Sequence, residues 1–172
     1  MSDAPKTEPT ALPPHPRRLP IGLGLAVLLI VLDQISKWWV VGHLMNPPRR
    51  IELTSFFNLV MVWNPGITFG LGNNVEWGRW LFAGLALVIV IILIGWLRRA
   101  THVWVAAALG LVVGGAIGNV VDRLRWGAVA DFLDFHAFGW HWPAFNLADA
   151  GIVVGVLLLV FDALVGRKDS LP

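Results

Sequence analysis

The chain contains no cysteine. It can form no disulfide and no thiolate metal site, it has no thiol nucleophile, and redox chemistry gives no clue to its compartment. Charge is scarce as well: 14% of the 172 residues are Asp, Glu, Lys or Arg, against 56% hydrophobic, and the mean hydropathy is +0.69. That balance excludes an ordinary soluble domain and describes a membrane protein. The net charge of +2 comes from scattered Lys and Arg. Without a basic stripe or an aromatic RNA-binding motif, no nucleic-acid partner is expected.

Residues 1–18 include Pro5, Pro9, Pro13, Pro14 and Pro16 with little apolar content, which predicts a disordered tail. Arg17 and Arg18 before an apolar run also allow a cleaved signal peptide, but the run ends in DQISKWW with no small-x-small pattern. Four apolar stretches follow, at Ile21–Val41, Trp80–Leu97, Val103–Val121 and Asn146–Val165. Each is long enough for roughly 30 Å of hydrocarbon. The expected fold is a mainly α membrane protein, one domain over 19–166 with four transmembrane helices, then a C-terminal tail at 167–172. Both termini fall on one side. The tight turn carrying Arg98 and Arg99 has no acid, so the positive-inside rule puts that side in the cytoplasm.

The polar residues are distributed unevenly. Asp33 lies late in the first span, Asp122 just after the third, Asp149 early in the fourth, and Asp131 and Asp134 in the 122–145 connection. All five therefore map to the non-terminal side, with eight of the ten tryptophans. The other connection on that side, about 42–78, contains IELTSFFNLVMVWN, whose β-branched and aromatic content predicts one or two strands ending at an Asn64-Pro65-Gly66 turn. A small extracytoplasmic β-sheet, or cradle, is expected over the helix ends.

Several positions there carry chemistry. Asp33 and Lys37 stand four apart, in the favourable order for an ion pair on one helix face. Gly110, Gly114 and Gly118 form a GxxxG-type face that admits a close helix neighbour, and the same stripe reaches Asp122. Asn119 lies one turn from Asp122 and Arg123, so Asn119 and Arg123 are assigned to holding something polar, while an Asp122–Arg123 pair reads first as structural. In VADFLDFH, residues 129–136, extended backbone puts Asp131 and Asp134 on opposite faces, so only one of them can face the bundle. The sequence by itself leaves open which. Asn146 and Asp149 share a face near the start of the fourth span; counting from Pro143 puts Asp149 past the first turn, so it reads as functional rather than as a first-turn acid.

Two carboxylates held close in a partly dry site cannot both ionise easily, so one keeps a proton and the other can take one from water. Such a pair cleaves an amide with no metal, cofactor or covalent intermediate. A metal-dependent peptidase using His136 and His141 is the competitor, although their spacing fits neither HExxH nor a paired helical motif. A small transporter or channel with intramembrane acids is the other alternative. It predicts polar groups through the whole bundle, whereas the second and third spans are uncharged.

Taken together, Asp33-Gln-Ile-Ser-Lys37, Asn64-Pro-Gly66 with Phe69, Gly114-Gly-Ala-Ile-Gly-Asn119 with Asp122-Arg123, Ala130-Asp131-Phe132 and Phe145-Asn146-Leu-Ala-Asp149 resemble lipoprotein signal peptidase, the type II signal peptidase of bacterial inner membranes. The resemblance implies four transmembrane helices, a periplasmic β-cradle, and an aspartyl dyad formed by Asp131 and Asp149. Asp33, Lys37, Asn64, Gly66, Asn119, Asp122, Arg123 and Asn146 would then be supporting or substrate-binding residues, with no metal. It further implies a multi-pass inner-membrane endopeptidase with its site at the periplasmic face. Such an enzyme cuts diacylglyceryl-modified prolipoproteins before the lipidated cysteine, and globomycin-type peptides inhibit it. Its partners are the prolipoprotein signal peptides and membrane lipids, and a monomer is expected. The chain departs from the usual family pattern at Pro65-Gly66-Ile67-Thr68 and at Val129-Ala130.

Overall fold

The computed structural model describes residues 18–66 and 75–165; the 1–17 and 167–172 tails, Phe69 and the end of the departure at residues 65–68 lie outside them. Among the described residues, four helices are long and apolar enough to cross a membrane. The first, α1 (Arg18–Trp39), runs on into a π-helical turn, Val40–Leu44. α2 (Val75–Leu97) and α3 (Val103–Trp126) follow, and α4 (Leu147–Val165) closes the bundle. The most apolar window of α3 is 61% buried, against 17–22% for the others, so α3 is the central helix and the rest show most of their surface to lipid.

Small residues make that packing possible. A side chain at Gly110 would meet the Gly22 carbonyl of α1, and one at Gly114 would stand 2.7 Å from the Ala26 carbonyl. The predicted glycine face is thus the α1–α3 seam. α4 packs on the neighbouring face of α3, where a side chain at Gly115 would meet the Ala148 carbonyl and one at Gly155 would lie 2.6 Å from the Ala108 carbonyl.

α1 and α2 begin earlier than expected, at Arg18 and Val75, and two further boundaries change where site residues lie. α3 continues to Trp126, so Asp122 and Arg123 lie within it; Gly127, at φ +80, ends it by donating its N–H to the Arg123 carbonyl. α4 begins at Leu147 rather than near Pro143, because Phe145 is still extended and exchanges backbone hydrogen bonds with Leu133. Asp149 is consequently in the first turn, which corrects the placement counted from Pro143.

The extramembrane segments form one antiparallel sheet in the order β1 (Ile51–Thr54), β2 (Phe57–Asn64), β3 (Val129–Ala137) and β4 (Trp140–His141). β1 and β2 are the expected strands of the first connection, and residues 129–136 take the extended phase. Phe138 (φ +51) and Gly139 (φ +83) make the two-residue turn between β3 and β4. Phe132 seats the sheet on the bundle by packing with Val40 and Met45, against which Leu147 of α4 also lies.

Candidate active site

At the sheet end of the bundle lies a buried ionic cluster. Lys37 Nζ is 2.8 Å from Asp33 and 2.7 Å from Asp122, and all three side chains are fully buried. Three such charges persist in a dry interior only because each is matched and hydrogen-bonded. Gln34 donates to both Asp33 and Asp122 and to the Gly118 carbonyl. Each acid also ties down a further element: Asp33 accepts from the Ala148 N–H at the start of α4 (3.0 Å), and Asp122 from the Ala130 N–H on β3 (3.2 Å). The predicted i,i+4 pair is therefore one half of a three-charge latch joining α1, α3, α4 and β3. The expected Asp122–Arg123 pair is not formed, because Lys37 takes that carboxylate and Arg123 turns its Nη1 to the Asn119 carbonyl, with its guanidinium 5.8 Å from the Phe82 ring centre.

Above the latch, two asparagines carry the network to two further acids. Asn119 accepts from Lys37 and from Asn146 Nδ2, both at 3.2 Å, and donates to Asp149 Oδ1 at 2.7 Å. Asn146 donates to Asp131 Oδ1 at 2.7 Å, while its Oδ1 accepts from the Asp149 N–H and its own N–H donates to Asp149 Oδ2. That reciprocal bonding across three residues is a capping box: Asn146 caps α4 and Asp149 answers it. Asp149 is thus both a helix-capping acid and a member of the site. Asn64, at the end of β2, completes the shell by donating to Asp131 Oδ2 at 3.1 Å. Its own Oδ1 accepts from the Gly66 N–H, closing the turn. Gly66 has φ +85, and a side chain there would lie 2.8 Å from the Phe82 ring.

The network thus holds four carboxylates (Asp33, Asp122, Asp131, Asp149), with Lys37 in it and Arg123 bordering it. Lys37 is committed to the first two. Asp131 receives only neutral amide donors, and its pKa is pushed up to about 6. Burial is the largest cause; the Asn64 hydrogen bond opposes it, and the charge of Asp149 adds to it. Asp134, three residues along β3, is held below the ordinary carboxylate range: burial pushes it up, but hydrogen bonds from Asn58 and His141 and the charges of His141 and His136 outweigh this. It lies away from Asp131, with Asn58 Nδ2 at 2.8 Å and His141 Nδ1 at 2.8 Å.

Every sequence-predicted site residue belongs to this network or borders it. Gln34 and Asn58 escaped prediction. Gln34 was signalled by its place beside Asp33 in the polar last third of the first span; Asn58 had no distinguishing pattern. His136 and His141 stack on each other with ring centres 4.9 Å apart. Among the described residues no three His, Asp or Glu side chains are grouped to hold a metal ion.

The fold and this site define a multi-pass membrane protein that gathers acids and amides at one end of its helices. The model of the family described as signal peptidase (SPase) II matches residues 25–165. Among curated relatives, the lipoprotein signal peptidase of Aeromonas hydrophila is 48% identical over 149 residues, covering 85% of this chain and 89% of that one. That of Pseudoalteromonas atlantica is 46% identical over 151 residues, covering 86% and 91%. A bacterial membrane enzyme solved by the in meso method at 2.3 Å resolution superposes with a TM-score of 0.75 at 27% identity, over 87% of this chain and 91% of that one. The chain belongs to the signal peptidase II family. It is a multi-pass bacterial membrane peptidase, and the transporter alternative falls away.

Proposed function

We propose that the protein is an aspartyl endopeptidase that removes the signal peptide from diacylglyceryl-modified prolipoproteins, cutting before the lipidated cysteine, with Asp131 and Asp149 as the dyad. The observation that carries this reading is the one residue, Asn146, that bonds both carboxylates, its side-chain amide donating to Asp131 and its backbone N–H to Asp149, while the Asp131 pKa is raised to about 6. A proton retained on Asp131 leaves Asp149 as the base. Asp149 takes a proton from water as its oxygen attacks the scissile carbonyl, and Asp131 donates its proton to the carbonyl oxygen. The resulting gem-diol collapses when Asp131 recovers a proton from one hydroxyl and Asp149 delivers its own to the departing amide nitrogen. Atoms and charge balance without a covalent enzyme intermediate.

The remaining polar residues have distinct assignments. Asn119 and Asn146 orient the acids, Asn64 holds the second oxygen of Asp131, and the Asp33–Lys37–Asp122 latch fixes the elements that carry them. Arg123, whose Nε has no partner among the described residues, is assigned to a substrate carbonyl. Gly66 keeps the cradle turn clear. The site faces the periplasm and both termini the cytoplasm, in keeping with the Arg98-Arg99 turn. The lipid arms of the substrate remain in the bilayer, and globomycin-type peptides compete at the same place on a monomeric enzyme.

The test is cleavage of a lipidated precursor by detergent-purified protein, with and without chelator. Chelator-insensitive cleavage that is lost in Asp131→Asn and in Asp149→Asn supports the dyad. Loss of activity to chelator alone would replace it with a metal mechanism.

A further inference from the structure

The hairpin joining β3 and β4 is built unlike the rest of the sheet. Residues 135–148, FHAFGWHWPAFNLA, contain no Asp, Glu, Lys or Arg. At its tip and along its return arm, Phe138, Trp140 and Trp142 are 103%, 83% and 70% exposed. Large aromatic side chains left this open on an extramembrane hairpin are costly in water, and at its tip Phe138 holds a positive φ that a non-glycine residue rarely adopts.

The arm is nonetheless firmly held. Trp142 N–H donates to the Phe135 carbonyl at 2.8 Å, Phe145 pairs with Leu133, and His141 is fixed to Asp134. Its aromatic surface is therefore presented, not frayed.

The occupant follows from where that surface leads. Trp142 lines two cavities. One, of about 500 Å³, lies against Phe56, Phe135, Trp140 and His141 on the sheet. The other, of about 430 Å³, runs beside α4 from Asp149 past Phe145 to Val153 and Val154. Val153 lies one turn further into the membrane span than Asp149, about 6 Å along the helix, and is itself exposed on the lipid side. The aromatic face of the hairpin is thus continuous with the lipid-facing surface of α4. Uncharged, Trp-rich and joined to a membrane span, it has the chemistry of the headgroup boundary.

We propose that the β3–β4 hairpin is an interfacial anchor: Phe138, Trp140 and Trp142 are immersed at the headgroup–acyl boundary of the leaflet bordering the site, so the sheet is tethered to lipid at that edge. The anchor fixes the depth of the groove that opens beside Asp149, whatever reaction occurs there.

The absence of cysteine makes the test direct. Single variants Phe138→Cys, Trp140→Cys, Glu52→Cys and Val153→Cys in the full chain are spin-labelled and reconstituted into phosphatidylethanolamine–phosphatidylglycerol vesicles. Collision with oxygen, which concentrates in lipid, is compared with collision with a water-soluble nickel chelate. Labels at 138 and 140 are expected to give an oxygen-to-nickel ratio severalfold above that at 52 and below that at 153. A ratio at both positions equal to that at 52 overturns the anchor. So does spin–spin broadening between copies at 138, which would give the face to a second chain. All four positions are exposed, so folding is preserved, and cleavage assays on the same samples report separately on the dyad.

Discussion

Asp131 and Asp134 stand three residues apart on one strand, are 2% and 5% exposed, and are driven in opposite directions: Asp131 is pushed up to about 6, Asp134 below its ordinary value. Burial pushes both acids up; it prevails at Asp131, which lies deeper against the bundle, whereas at Asp134 the partners outweigh it. Asp134 has a histidine on its carboxylate and a second behind it, so its negative charge is compensated where it forms. Asp131 has two amides and a neighbouring acid, so its hydrogen bonds are satisfied while its charge is not. Where the partners are neutral amides, burial keeps a carboxyl's pKa raised.

The comparison breaks most directly by substitution. Asp131→Asn and Asp149→Asn are each expected to lower cleavage of a lipidated precursor by roughly 10³-fold or more, with membrane insertion intact. Asp134→Asn should stay within a few-fold of the parent. Equal loss at 131 and 134 would mean that the strand's two faces are not functionally distinct. The next effect is on stability. Lys37→Met leaves Asp33 and Asp122 facing each other in a dry interior, and should cost about 3–5 kcal/mol, read as a drop in the unfolding midpoint in detergent. A smaller loss, about 1–3 kcal/mol, is expected for Gly118→Ala, whose new methyl would lie 2.7 Å from Asp33 Oδ2.

Much of this was legible in the residues. Four apolar runs named the helices, the glycine spacing marked a close-packing face of α3 without naming its partner, and strand phase separated Asp131 from Asp134. Helix ends were less legible, because they depend on partners distant in sequence. Phe145 pairs with Leu133 and delays α4, which turns Asp149 into a capping-box acid; Lys37 reaches Asp122 first and leaves Arg123 for Asn119. The asparagines of β2 show the limit most clearly. Asn58 and Asn64 are an even number of residues apart, so a regular strand would put both on one face. The register slips by one between Leu59 and Val62, and this bulge sends Asn58 to Asp134 and Asn64 to Asp131. No local pattern announces that slip, yet it gives each acid its own amide.

The subtlest effect sharpens the comparison without touching catalysis. A carboxyl whose pKa is raised in the folded state holds a proton that the unfolded chain has already released, so between about 4 and about 6 the native protein binds more protons and its stability falls as pH rises. Asp131 should contribute that falling slope, levelling off above about 6. Asp134 has the opposite sign: its contribution is fully present above the ordinary aspartate value and is lost as pH falls through its lower native pKa. Unfolding midpoints should therefore lose a downward slope between about 4 and about 6 in Asp131→Asn, and an upward slope below the ordinary aspartate value in Asp134→Asn. Slopes of the same sign in both variants would mean that the proton is not held at Asp131, and the roles assigned to the two members of the dyad would have to be exchanged.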